Sequence, residues 1–103
     1  MAFKVVLTED AERDLEDIWL TIAADNLPAA TRMVRAIGAR IDRLAEHPRL
    51  GPRRPDLRPA ARVLVEGPYL ILFETHPDTD EGPVVRVEVV RVVDGRRDLT
   101  SVF

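Results

Sequence analysis

The chain has no cysteine, which excludes disulfides and thiolate chemistry. Its only histidines, His47 and His76, stand far apart, and no zinc-ligand spacing joins them, so no metal site is expected. Asp78, Asp80 and Glu81 lack the ligand order of a calcium loop and read as a solvated turn. The five glycines form neither a dinucleotide nor a P-loop fingerprint, and the chain is too short for either domain, so no cofactor is expected. The longest unbroken apolar run, residues 69–73, is far too short to span a bilayer, and residues 1–4 lack the apolar stretch of a signal peptide. Together with the missing cysteine, this fits a cytoplasmic protein with no membrane partner. Lysine is almost missing as well, Lys4 being the sole one among 15 basic residues.

What is present is 103 residues, 46% apolar and 32% charged, the make-up of one globular domain over 1–103 with a single core. The net charge of -3 conceals a gradient. Residues 1–27 carry Glu9, Asp10, Glu12, Asp14, Glu16, Asp17 and Asp25 against Lys4 and Arg13, whereas residues 47–62 carry Arg49, Arg53, Arg54, Arg58 and Arg62 against Asp56 alone. Codon bias can favour arginine, but it does not choose where arginines fall. A guanidinium offers a planar fork suited to carboxylate and phosphate, so this cluster reads as a candidate surface for an anionic partner.

Residues 3–7 read as a strand, after which Thr8 is an N-cap with Glu9, Asp10 and Glu12 in the first helical turn. Ala11, Leu15, Ile18, Trp19, Ile22 and Ala23 follow at one-sided helical spacing, which places Trp19 in the core. Pro28 ends that helix near Asp25-Asn26 and is tolerated in the first turn of a second. The second helix repeats the pattern at Ala30, Met33, Val34, Ile37, Ile41, Leu44 and Ala45, stopping before His47-Pro48. Gly38 beside its apolar face is expected to admit a close neighbour. Residues 47–60, rich in proline and arginine, form a long and hence candidate functional connection that Leu50 and Leu57 would pin to the core. Residues 61–66 alternate as a strand, Gly67-Pro68 turns, and residues 69–74 are apolar on both faces, the mark of a central strand. A last strand over residues 84–93 slips phase at Val89-Val90, so a bulge or two-faced burial is expected there. The order β-α-α-β-β-β specifies an α+β fold, a helical hairpin packed on a mainly antiparallel sheet.

Two features carry candidate chemistry. One is the arginine segment from Arg49 to Arg62. The other is Arg96-Arg97-Asp98 beyond the last strand, where an aspartate beside two arginines can hold a guanidinium ready for a partner.

The runs Asp14-Leu15-Glu16-Asp17-Ile18-Trp19 and Ile41-Asp42-Arg43-Leu44-Ala45-Glu46-His47-Pro48-Arg49-Leu50-Gly51 resemble the helical half of a ParE toxin. Arg53-Arg54-Pro55-Asp56-Leu57-Arg58, Tyr69-Leu70-Ile71-Leu72-Phe73, and Val87 to Val93 with Gly95-Arg96-Arg97-Asp98-Leu99 are similar to the remainder. The resemblance spans nearly the whole chain and points to the RelE/ParE superfamily of bacterial type II toxin-antitoxin systems, in its ParE (plasmid stabilisation) branch. It implies a RelE/ParE-like fold and a cytoplasmic toxin that inhibits DNA gyrase by binding. It further implies neutralisation by a ParD-like antitoxin, with operator DNA reached only indirectly through that antitoxin.

RelE relatives instead cleave mRNA on the ribosome, and RNA cleavage needs groups that move protons and stabilise charge on phosphorus. Here there is no lysine after Lys4 and no tyrosine or histidine after His76. The position before Gly95-Arg96-Arg97-Asp98, a histidine in many ParE relatives, is Asp94. No catalytic residue is therefore assigned. Arg49, Arg53, Arg54, Arg58, Arg62, Tyr69, Arg96, Arg97 and Asp98 are the expected target- or antitoxin-binding residues. An mRNA interferase centred on Arg62, Tyr69 and Arg97, or a decayed toxin serving only in operon repression, are the alternative readings.

Overall fold

The computed structural model describes residues 3–97 and Leu99. Four strands, β1 (Lys4–Leu7), β2 (Arg62–Glu66), β3 (Tyr69–His76) and β4 (Arg86–Asp94), form one sheet in the order β1-β4-β3-β2. Two helices, α1 (Glu9–Ala23) and α2 (Leu27–Arg43), follow β1 as an antiparallel hairpin, giving the order expected from sequence. β2, β3 and β4 pair antiparallel, while β1 runs parallel to β4, so the sheet is mixed.

α1 starts at Thr8, whose backbone is extended and whose Oγ1 accepts the Ala11 N–H at 3.0 Å. α2 starts at Asn26, whose side chain accepts the Ala29 N–H at 3.0 Å, with Pro28 in the first turn where its missing N–H costs nothing. α2 ends at Arg43, and the chain tightens through three successive i→i−3 bonds at Leu44, Ala45 and Glu46. This is earlier than the apolar pattern implied, and it leaves Ala45 exposed.

The main core lies between the helices and one sheet face. Ala11, Ile18, Ile37, Ile41 and Leu44 meet Leu64, Ile71, Phe73, Val87, Val89 and Val92. Each large apolar side chain buried this way is worth about 1.5–3 kcal/mol. A smaller cluster of Ala61, Val63, Leu72 and Val90 fills the opposite face, with Leu57 packed on it. The two clusters explain why residues 71–73 are apolar without alternation: β3 is covered on both faces.

The phase slip in β4 is a bulge. Leu72 stands opposite Arg91 and Phe73 opposite Val89, so Val90 is the extra residue. The bulge turns Val87, Val89 and Val92 all toward the helices although their spacing is not a strict alternation. It also offers two carbonyls to α1: Thr8 donates its N–H to the Val89 oxygen at 3.0 Å and its hydroxyl to the Val90 oxygen at 2.8 Å. One threonine thus caps the helix and bolts it to the sheet.

Gly67 at φ 56° takes the first corner of the two-residue turn between β2 and β3, and Pro68 takes the second. This is the glycine-first hairpin turn whose twist suits the strands.

Four details differ from the sequence reading. Trp19 is only half-buried while its neighbour Ile18 is buried, so the helix presents Ile18 rather than the indole to the sheet. Leu57 pins the long connection, whereas Leu50 is 39% exposed and does not. A Cβ built on Gly38 meets nothing within 4 Å, so no described element uses its missing side chain. β3 runs on to His76, because Thr75 and His76 still find partners in Val87 and Arg86.

Candidate binding surface

The arginine-rich connection is a built structure rather than a loose loop. Arg54 donates its N–H to the Ala61 carbonyl at 2.8 Å and Val63 donates to Pro52 at 3.1 Å, laying residues 52–54 along the outer edge of β2. That edge is otherwise an open row of donors and acceptors, which this pairing covers. Gly51 permits the approach, since a Cβ there would sit 2.0 Å from the Val63 carbonyl oxygen.

Three of its arginines grip the segment between β3 and β4. Arg49 donates to the Thr79 carbonyl (2.7 Å), the Thr79 hydroxyl (3.1 Å) and the Gly82 carbonyl (3.0 Å). Arg53 forks between Asp80 and Asp78, both at 2.8 Å. Arg62, buried at the start of β2, reaches Asp80 at 3.0 Å and the Gly51 carbonyl at 3.3 Å. The hydrogen bond from Arg53 holds the Asp80 carboxyl below its ordinary range. Asp78 and Asp80, a solvated turn in the sequence reading, are therefore the acidic half of an internal latch.

The remaining two arginines face outward. Arg54 is held in a bidentate pair by Asp56 at 3.0 and 2.9 Å, and this hydrogen bonding pushes the Asp56 carboxyl down. Arg58 approaches the buried Glu74 at 3.2 Å with 44% of its side chain still exposed.

At the far end of the sheet, Tyr69 and Arg97 line a concavity of about 210 Å³ with Asp14, Asp17, Ile18, Thr21, Val92, Val93 and Asp94. Asp14, Asp17, Ile18 and Thr21 recur at the spacing of one helix face, a signal present in the sequence but masked by the surrounding acids. Asp14 is fixed by Arg91, at 2.7 and 2.9 Å, and by the Val92 N–H at 2.9 Å. Asp94 is clasped by Arg96 through two side-chain bonds at 2.9 and 2.6 Å and by the Arg96 N–H at 2.9 Å. Hydrogen bonds from the Arg96 side chain and then its backbone pull the Asp94 carboxyl down to about 2. It is thus Asp94 that positions Arg96, while Asp98, the aspartate singled out in sequence, lies outside the described residues together with residues 100–103. Asp14 is thus paired with Arg91 and Asp94 with Arg96, Arg97 adds its positive charge near Asp94, and neither Asp17 nor Arg97 has a side-chain ion pair among the described residues.

The eight expected binding residues that the structure describes therefore divide between two places. Arg62 pairs with Phe73 and Tyr69 with Glu66, the opposite ends of the β2–β3 hairpin, about 13 Å apart at four strand residues. His76 lies at the Arg62 end. Tyr69 and Arg97 share a concavity, but neither Arg62 nor His76 lines it.

Among the described residues, no helix is long and apolar enough to cross a membrane. A family model described as the ParE toxin of the type II toxin-antitoxin system, parDE, matches residues 5–99. Toxin ParE1 of Mycobacterium tuberculosis is 31% identical over 100 residues, covering 96% of both chains. Toxin ParE3 of Caulobacter vibrioides is 27% identical over 99 residues, covering 95% of this chain and 92% of the relative. The fold is similar to a chain in a structure of the chromosomal ParDE TA system from P. aeruginosa, with a TM-score of 0.72 at 21% identity over 89% of this chain and 95% of that one. The match runs through both helices and all four strands, and by it the chain belongs to the ParE family of toxins of type II toxin-antitoxin systems.

Proposed function

We propose that this toxin acts by binding, with DNA gyrase as its target and a ParD-like antitoxin as the partner that neutralises it. The observation that carries this reading is the dispersal of its proton-transfer candidates. Tyr69 stands at one end of the hairpin and Arg62 and His76 at the other, and the concavity holding Tyr69 and Arg97 includes neither of them but does include the carboxylate of Asp17. General acid–base cleavage of a phosphodiester requires such groups within hydrogen-bond reach of one scissile bond, in a field that welcomes its charge.

The partner-facing groups in this reading are Arg54, Arg58, Arg96, Arg97 and Tyr69. Arg49, Arg53 and Arg62 act one step back, holding the connection that presents Arg54 and Arg58. An antitoxin segment that folds on binding needs apolar contacts as well as acids for these guanidiniums. Leu20 and Leu27 at the helix-hairpin end, 54% and 55% exposed, supply apolar surface. Operator DNA is reached through the antitoxin.

The test uses purified toxin in two assays, gyrase supercoiling with DNA cleavage, and transcript cleavage on translating ribosomes. Activity in the first and silence in the second is the expected outcome. Cleavage of message with gyrase untouched would make the chain an interferase. Silence in both, with tight antitoxin binding, would reduce it to a partner in operon repression.

A further inference from the structure

On the sheet face away from the helices, Glu74 and Glu88 stand directly opposite each other on β3 and β4. His76, two residues along β3, shares that face. One ligating atom from each of these three side chains lies within 4.8 Å of the other two. Glu74 is 8% exposed, and His76 and Glu88 are half-buried.

Two features of this cluster are unexplained by the fold alone. Like charges placed directly across an antiparallel pair destabilise it. Arg58 pairs with Glu74 at 3.2 Å, and Glu88 has no ion-pair partner among the described residues. In addition, His76 Nε2 is buried with no hydrogen-bond partner among the described residues. A buried polar nitrogen without a partner normally costs about 1–3 kcal/mol.

A divalent cation resolves both features at once, because it neutralises the second carboxylate and gives the imidazole ring a partner. We propose that Glu74, His76 and Glu88 form a binding site for a divalent transition-metal ion of the zinc type. An imidazole with two carboxylates suits zinc, whereas magnesium and calcium prefer oxygen alone. Three protein ligands leave a fourth, water-filled position on the half-exposed side of the cluster. Zinc bonds of roughly 2.0–2.2 Å require the donor atoms to close by about 1 Å, within the reach of side-chain torsions. Glu74 has two oxygens, so it can serve the ion and Arg58 together. The ion would tie β3 to β4 at the end of the sheet opposite the concavity, and its role is therefore structural.

No spaced ligand motif announces this site. Glu74 and His76 are adjacent on one strand face, while Glu88 is brought in only by the register of β4.

The test is stoichiometric Zn²⁺ added to chelator-treated full-length protein, read by thermal melting, with Co²⁺ as a spectroscopic probe. One equivalent is expected to raise the melting temperature, and Co²⁺ to give a visible d–d band that Zn²⁺ displaces. Glu88→Gln should raise the metal-free melting temperature by removing the opposed charge, and should abolish the response to Zn²⁺. His76→Gln should abolish that response while leaving Arg58 and Glu74 paired. No shift and no band with the unaltered protein would overturn the proposal. So would a Zn²⁺ response that survives in both variants, because the ion would then sit elsewhere, as at His47. None of these readouts depends on toxicity, so they stand or fall apart from the gyrase reading.

Discussion

Gly38 and Gly51 allow the same substitution to be made in two places with opposite expected signs. A Cβ at Gly38, within α2, meets no atom inside 4 Å, so alanine there fills open space. Glycine in a helix interior is about 0.8–1.0 kcal/mol less favourable than alanine, and nothing at this site opposes the gain. For a domain of this size that corresponds to a rise in melting temperature of about 4–8 °C. At Gly51 the added carbon would stand 2.0 Å from the Val63 carbonyl oxygen and 3.1 Å from the Phe73 ring. Backbone atoms cannot yield as a flexible side chain does, so the segment covering β2 must lift away at a cost of about 1–3 kcal/mol. Thermal and urea unfolding of Gly38→Ala, Gly51→Ala and the parent measure both effects. A destabilised Gly38→Ala, or a Gly51→Ala as stable as the parent, would refute the reasoning. The Gly38 variant also reports on assembly. If it gains stability alone yet loses affinity for the antitoxin, the open space is where the partner's backbone lies.

Asp14→Ala removes the acceptor that Arg91 and the Val92 N–H share in a part-buried site, at a cost of about 2–3 kcal/mol, or a fall in melting temperature of roughly 10–20 °C; Asp14→Asn, keeping one acceptor oxygen, should lose less. Asp94 titrates near 2 in the folded chain and near its ordinary value of 3.8 when unfolded, so its contribution is complete above about pH 4 and disappears as pH falls toward 2. Urea midpoints measured from pH 5 to pH 2 should therefore decline less steeply in Asp94→Asn than in the parent, and parallel declines would remove Asp94 from the acid response. Arg97→Ala should leave the melting temperature within about 1 °C of the parent, since it keeps the backbone bond to Asp94 and gives up only a weak, exposed attraction to that carboxylate, while weakening growth inhibition or antitoxin affinity by about tenfold or more, as for a charge-assisted contact. Equal toxicity and equal affinity would show that Arg97 faces neither partner.

The helices, the strands and their order were legible because each rests on local signals: Thr8 as a cap, Pro28 as a boundary, the two-faced apolar run of β3 and the phase slip of β4. What sequence reading missed depends on register. Nothing local ties Arg53 and Arg62 to Asp80, because their meeting needs the β2–β3–β4 meander and the connection folded back on its edge. The same holds for Glu74 opposite Glu88. Trp19 was misplaced for a related reason: periodicity gives a helix a face but not the angle at which that face meets the sheet. Here that angle is set by Thr8 and Asp14, polar residues whose partners are the carbonyls and the N–H around the β4 bulge.

The bulge therefore matters to the binding surface as well as to the core. Asp14 both accepts the Val92 N–H and lines the concavity with Tyr69 and Arg97, so the wall of the concavity and the anchor of α1 are one side chain. Removing Val90 would restore strict alternation to β4. It would leave Val92 opposite Ile71, but it would take Val90 out of the smaller core cluster and withdraw the carbonyl that receives the Thr8 hydroxyl. A chain with Val90 deleted should consequently lose Tyr69–Arg97 presentation and core packing together, whereas Arg97→Ala loses the first alone. Comparing the two by near-ultraviolet circular dichroism and antitoxin affinity separates a surface that binds from a fold that merely supports it. A Val90 deletion that kept native packing would mean that the bulge does not set the position of α1.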